Sequence, residues 1–340
     1  MRAVAYREAG PIARQDALVD VTLPDPVPAG RDLLVEVKAV SVNPVDTKVR
    51  NGSTLPDGAW KVLGWDAAGI VRAVGPDARL FKPGDAVFYA GSILRPGTNS
   101  ELHLVDERIV GRKPTRLDWG EAAALPLTAI TAWEALFDRL EITRPVPGIA
   151  PVVLIIGGAG GVGSIAIQLA RQLTDATVIA TASRPETRAW VQALGAHHVI
   201  DHRAPIAAQV AALGLGAPAF VFSTTNTADH LGEIAELIAP QGRFALIDDP
   251  QALDVVGFKR KAVSIHWELM FTRPIFETAD MAEQGKLLNA VAELVDAGRL
   301  RTTLTERLSP IDAANLSRVH ALIESGTARG KIVLEGWPPA

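Results

Sequence analysis

The chain has 340 residues, of which 48% are hydrophobic and 21% charged, with a net charge of -4 and no cysteine. Its length predicts about two domains. The charge leaves no basic footprint for nucleic acid. Without cysteine there is no disulfide, thiolate metal ligand or cysteine nucleophile. The N-terminal MRAVAYREAG is charged and lacks the apolar core of a signal peptide. No segment has the roughly 18 uninterrupted apolar residues of a membrane helix. A soluble, cytoplasmic protein without a membrane or nucleic-acid partner is expected.

The first third reads as strands and turns. DLLVEVKAVSV (32–42) is β-branched and partly alternating, and DAAGIVRAVG and GDAVFYAG follow as short strands between Gly and Pro turns. Near residue 118 the character changes. DWGEAAALPLTAITAWEALFDRL begins with Asp118 as a candidate N-cap and Glu121 three residues on, a capping-box pattern. Apolar strands then alternate with helical stretches: PVVLIIG, SIAIQLARQL, ATVIATA, ETRAWVQALGA, HHVID, IAAQVAAL, AFVFST, ADHLGEIAELIA and RFALID. This order predicts a doubly wound parallel sheet, giving an α/β fold. A helix over 277–297, a strand, a helix over 310–324 and the strand GKIVLEG close the chain.

VLIIGGAGGVGSIAIQLA is the most informative stretch. An apolar strand runs into glycines, and the glycines run into a helix. Gly158, Gly160 and Gly163 satisfy G-x-G-x-x-G, with Gly161 and Val162 between them. Such a loop lets a pyrophosphate approach the backbone at a helix N-terminus. The strand-turn-helix context makes this a dinucleotide site. NAD sites end the second strand with an acid that bonds the ribose. Here Thr181, Ala182, Ser183 and Arg184 stand at that point. A hydroxyl and a guanidinium suit a 2′-phosphate, so NADP(H) is favoured. His202, ending the next strand, is a further candidate for that phosphate.

Together with SVNPVDTKVR, LGWDAAGIVRAVG, FKPGDAVFYAG, ALPLTAITAWEAL, LGAHHVIDH and LMFTRP, the glycine loop resembles the medium-chain dehydrogenase/reductase superfamily over nearly the whole chain. Within it the chain is similar to the zinc-free quinone oxidoreductase group, and more closely to a bacterial branch labelled zinc-type alcohol dehydrogenase-like. The resemblance implies a GroES-like, mostly β catalytic domain (1–122 and 275–340) and a Rossmann NADP(H)-binding domain (123–274). It also implies a homodimer joined near KAVSIHWELM. Zinc-dependent members carry Gly-His-Glu where this chain has Gly64-Trp65-Asp66. Their other two catalytic ligands would fall at about Asn43 and Leu127. No metal site, and no zinc, is therefore expected.

Without a Lewis acid, a conjugated acceptor is the easier substrate, because added charge spreads to a distant oxygen that donors can stabilise. The expected activity is NADPH-dependent reduction of a small-molecule quinone or α,β-unsaturated carbonyl. The alternatives are a metal-free alcohol or aldehyde reductase, and a low-turnover NADPH-binding structural or redox-sensing protein. The resemblance places Asn43 near the nicotinamide, as a candidate catalytic donor. Lys48 stands where many quinone reductases have tyrosine, and with Tyr89 it is a candidate proton donor or oxyanion partner. Trp65, Asp46, Arg95, Thr128 and Met270 are assigned to the substrate pocket, with packing an open alternative for Trp65 and Tyr89. Thr131 and Phe271 are assigned to the cofactor. Loops 46–60 and 90–100 and the segment HWELMFTRP are expected to shape the pocket.

Overall fold

A computed structural model describes residues 1–52 and 58–338, so residues 53–57 of the expected pocket loop 46–60 lie outside the described residues. The chain divides into two compact units, 1–130 with 271–340, and 131–270. The first unit begins with β1 (Arg2–Tyr6), β2 (Val19–Thr22) and β3 (Asp32–Ser41), then α1 (Pro44–Gly52). Next come β4 (Lys61–Val62), β5 (Ala67–Val74), β6 (Ala86–Tyr89), β7 (Leu102–Asp106) and β8 (Val110–Arg112). Along β3 the side chains of Leu33, Val35, Val37 and Ala39 are buried while those between are partly exposed, the two-residue period of a half-covered strand. β3 pairs antiparallel with β5 and β7, which places the 41–44 corner next to the 64–67 corner.

The long apolar run after residue 118 forms three pieces. α2 (Trp119–Ala123) is capped by Asp118, whose side chain accepts from Glu121 N–H while Glu121 reaches back to Asp118 N–H. This is the reciprocal cap expected from the spacing. Pro126 lacks an N–H and so opens a new helix, α3 (Pro126–Trp133). The helix then widens into a π-helical segment, Glu134–Arg139.

The second unit is a β/α alternation. Its elements are β9 (Val152–Ile156), α4 (Gly161–Leu173), β10 (Thr177–Thr181), α5 (Pro185–Ala193) and β11 (His198–Ile200). They continue with α6 (Ile206–Ala212), β12 (Phe220–Ser223), α7 (Thr227–Leu237), β13 (Arg243–Leu246) and β14 (Ser264–Trp267). The strands form one parallel sheet in the order β11-β10-β9-β12-β13-β14. That order reverses direction at β9 and β12, the switch point of a doubly wound sheet. All five residues of β9 are buried, as expected of a central strand covered on both faces. Leu154, Val221, Phe244 and Phe258 belong to the core on one side.

The chain then returns to the first unit with α8 (Thr272–Phe276), α9 (Glu283–Asp296), β15 (Leu304–Leu308), α10 (Ala313–Glu324) and β16 (Lys331–Glu335). The helix expected over 277–297 begins at Glu283, because Glu277 has φ 43° and ends α8. A left-handed residue cannot continue a right-handed helix. β16 lies antiparallel to β3, so the start of β16 meets the end of β3. Among the described residues no helix is long and apolar enough to cross a membrane.

Candidate functional site

In the second unit the glycine loop joins β9 to α4. Gly157 has φ 80°, and its N–H donates to Thr181 Oγ1 at 3.0 Å. Gly158 N–H donates to Thr181 O at 3.1 Å. A Cβ on Gly163 would lie 2.3 Å from Gly157 O, and one on Gly158 would lie 2.9 Å from Ala180 Cβ. The fold itself demands these two glycines. Gly160 differs. It is the N-cap of α4 at φ -71°, and an added Cβ would meet only Gly157 O, at 3.5 Å. Nothing in the chain requires glycine there. Its bare backbone leaves room above the helix end that Gly161 and Val162 begin, where N–H groups and the helix dipole favour an anion.

The carboxyl end of β10 carries no acid at Thr181 to Arg184. Arg184 begins α5 with its N–H donating to Thr187 Oγ1 at 3.1 Å, and its guanidinium meets Glu186 at 3.1 Å. Both partners are well exposed, so this pair is weak and exchangeable. Arg203, which the sequence reading did not single out, donates to Ser183 O at 2.9 Å and pairs with Asp201 at 2.7 Å. It adds a second cation beside Ser183. His202 is partly buried, and burial holds its imidazole below the usual range. Thr131 and Met270 are buried.

In the first unit a polar cluster fills the corner made by β3, β5, α3 and β16. Asp66 Oδ1 accepts from Leu127 N–H at 2.7 Å, so a buried carboxylate caps α3. Its Oδ2 accepts from Asn43 Nδ2 at 2.8 Å and lies 3.0 Å from Lys331 Nζ. Lys331 also donates to Val42 O at 3.0 Å and Asn43 Oδ1 at 2.5 Å. Asp46 Oδ2 accepts from Asn43 N–H at 2.7 Å. Burial raises Asp66, with Lys331 opposing, and raises Asp46 to about 7. Three donors around Asp66 mark it as the ionised member. The Lys331 contact was missed from sequence. A lone lysine opening the apolar strand GKIVLEG was the available signal.

Several expected site residues lie in the interior. The Asn43 amide is engaged at both ends, donating to Asp66 and accepting from Lys331. Trp65 is 1% exposed, donates Nε1–H to Ser92 O at 3.2 Å and meets Phe271 edge-on at 6.0 Å. Tyr89 is wholly buried and stacked on His103, with its hydroxyl 3.1 Å from His103 Nδ1. Burial pushes Tyr89 up and His103 down to about 4. The Tyr89 hydroxyl is thus enclosed with the His103 ring. Arg95 pairs with Asp32 at 2.7 Å, and Thr128 Oγ1 donates to Leu125 O at 3.1 Å. Lys48 is exposed on α1.

These residues do not fit a zinc ion. Of the three positions, Leu127 has no ligand atom, Trp65 presents an indole N–H donor and Asn43 is consumed by its neighbours. Asp66 is neutralised by Lys331. Among the described residues no group of three or more His, Cys, Asp or Glu could hold a metal ion.

A half-covered antiparallel unit and a six-stranded doubly wound unit with a glycine loop define a GroES-like domain combined with a Rossmann-like domain. Family models agree: "Alcohol dehydrogenase GroES-like domain" matches 29–115, and "Zinc-binding dehydrogenase" matches 194–334. A zinc-type alcohol dehydrogenase-like protein of Staphylococcus aureus is 40% identical over 91% of this chain and 92% of its own. A Rhizobium etli structure, described as that of a candidate zinc-dependent alcohol dehydrogenase, is 73% identical with TM-score 0.98, covering 100% of this chain and 99% of that one. A Coxiella burnetii quinone oxidoreductase is 28% identical with TM-score 0.81, covering 99% of each chain. The chain belongs to the medium-chain dehydrogenase/reductase superfamily of oxidoreductases.

Proposed function

We propose that the protein is a zinc-independent, NADPH-dependent reductase of quinones or α,β-unsaturated carbonyl compounds. The observation that carries this reading is the Asp66–Lys331 cluster, which ties together Asn43 and Leu127, two of the three residues at the positions of the relatives' metal ligands. Likeness to a quinone oxidoreductase supports the substrate class. Bound NADPH supplies the hydride. The N–H groups at the start of α4 would hold the pyrophosphate, and Arg184 with Ser183 would hold the 2′-phosphate. Lys48 offsets the negative charge that reaches the carbonyl oxygen as the conjugated system accepts the hydride. The buried Tyr89 weighs against an alcohol or aldehyde reductase that would use it as the acid. A homodimer paired along β14, one of the two edge strands of the sheet, completes the reading.

The test is NADPH oxidation followed by absorbance with a benzoquinone, a naphthoquinone, an enal, an enone and a saturated aldehyde. It is repeated with NADH and after chelator treatment. Turnover confined to conjugated acceptors and indifferent to chelator is expected. Loss of activity on chelation would overturn the zinc-independent reading. NADPH binding without any turnover would support the low-turnover alternative. Light scattering at the monomer mass would remove the dimer.

A further inference from the structure

Glu134 and Glu268 form a buried acid pair that the proposed chemistry leaves unused. Glu268 is 3% exposed and directly follows β14, and its N–H donates to Leu246 O at 2.9 Å. It therefore sits at the carboxyl end of the sheet. Glu134 is equally buried and opens the π-helical segment. The Glu134 carboxyl lies near enough to Glu268 for its charge to disfavour ionisation there. Arg139, on the same segment as Glu134, donates Nε–H to Glu268 Oε2 at 2.8 Å. Two neighbouring carboxyl groups in the interior disfavour double ionisation, which favours one proton held between them. One cation, one carboxylate and one neutral carboxyl then balance.

The surrounding charges are accounted for. His266, on β14, is held below its usual range by burial and by Arg139 and Arg243, with Glu141 opposing. Arg243 is committed to the carbonyls of Leu140, Glu141 and Arg144, which end the π-helical stretch. Burial and the Glu134 charge raise Glu268 well above the usual carboxyl range.

Position connects the pair to the cofactor. In a doubly wound sheet the dinucleotide lies over the carboxyl ends of the strands, one mononucleotide on each half. If the β9–β11 half takes the pyrophosphate and the adenosine phosphate, the nicotinamide half lies over β12–β14. Thr131 is one helical turn before Glu134, and Met270 is two residues after Glu268. We propose that Glu134 and Glu268 are positioning residues whose shared proton clasps the Thr131 helix end to the Met270 strand exit, so that NADPH affinity falls when that proton leaves. This rests on the cofactor reading above.

The experiment is fluorescence titration of NADPH from about pH 7 to about pH 10.5 on wild type and Glu268→Gln, with circular dichroism at each pH. The amide keeps a donor toward Glu134 and has no proton to lose. Wild type is expected to weaken about tenfold across the range. Glu268→Gln should match wild type near neutrality and stay flat. Superimposable profiles would overturn the proposal. Should the variant not fold, infrared spectroscopy of wild type decides: a protonated-carboxyl band that vanishes in step with affinity supports it, and no band at neutral pH overturns it. Failure of wild type to bind NADPH at neutral pH would sink the cofactor reading and this inference together. Binding without a pH step would sink only this inference.

Discussion

Lys331 Nζ stands 3.0 Å from Asp66 Oδ2, with both side chains almost completely buried. The pair joins the start of the last strand to a carboxylate that caps α3. Removing one partner leaves an uncompensated buried charge, which typically costs several kcal/mol. Lys331→Met should therefore destabilise the protein by about 3–5 kcal/mol in chemical denaturation. Adding Asp66→Asn should recover part of that loss. A cost under about 1 kcal/mol would show that the pair is not coupled.

The glycines of the β9–α4 loop should separate by substitution. Gly160→Ala meets no clash in the chain and should cost about 1 kcal/mol or less in stability. It should still weaken NADPH binding at least about tenfold, because the methyl group would stand where the pyrophosphate approaches. Gly163→Ala forces a backbone contact and should lower stability as well. Unchanged NADPH affinity in Gly160→Ala would remove the ligand-based reason for that glycine.

Arg184 pairs with Glu186, an exposed glutamate on its own helix turn, at 3.1 Å. Arg184→Ala should raise the Kd for NADPH about tenfold and leave NADH nearly unchanged, because only the former carries a 2′-phosphate for a charge-assisted bond. Equal losses for both cofactors would place the phosphate elsewhere.

Asp46 is raised by burial to about 7. Its protonated form is the one the fold tolerates. The stability it contributes is fully present below the ordinary carboxyl range and is lost as pH rises through about 7. Denaturation midpoints measured between about pH 4 and 8 should fall with rising pH in wild type, and this fall should be smaller in Asp46→Asn. Parallel curves would refute the assignment.

Lys48 and Tyr89 offer opposite outcomes. Lys48→Met should lower kcat about a hundredfold if its ammonium offsets charge on the substrate oxygen. Tyr89→Phe should cost about 1 kcal/mol of stability through the lost His103 bond, with turnover within about twofold of wild type. Steady-state kinetics on both variants check the assignment.

What the sequence determined by itself is local. The strand-turn-helix glycine loop and the Asp118–Glu121 cap depend on residues a few positions apart, and their backbone geometry follows from residue type. The β/α alternation likewise announced the parallel sheet. Trp65 in place of a metal-binding histidine was also legible. Tertiary structure decided the rest. Only folding brings Lys331 to Asp66, and only the return of β16 beside β3 consumes the Asn43 amide. Only the exit of β14 sets Glu268 against Glu134. Tyr89, which in sequence reads either as a candidate acid or as packing, is enclosed with His103. Burial, ionisation and exposure are properties of contacts between distant segments, and side-chain identity alone cannot report which of those contacts form.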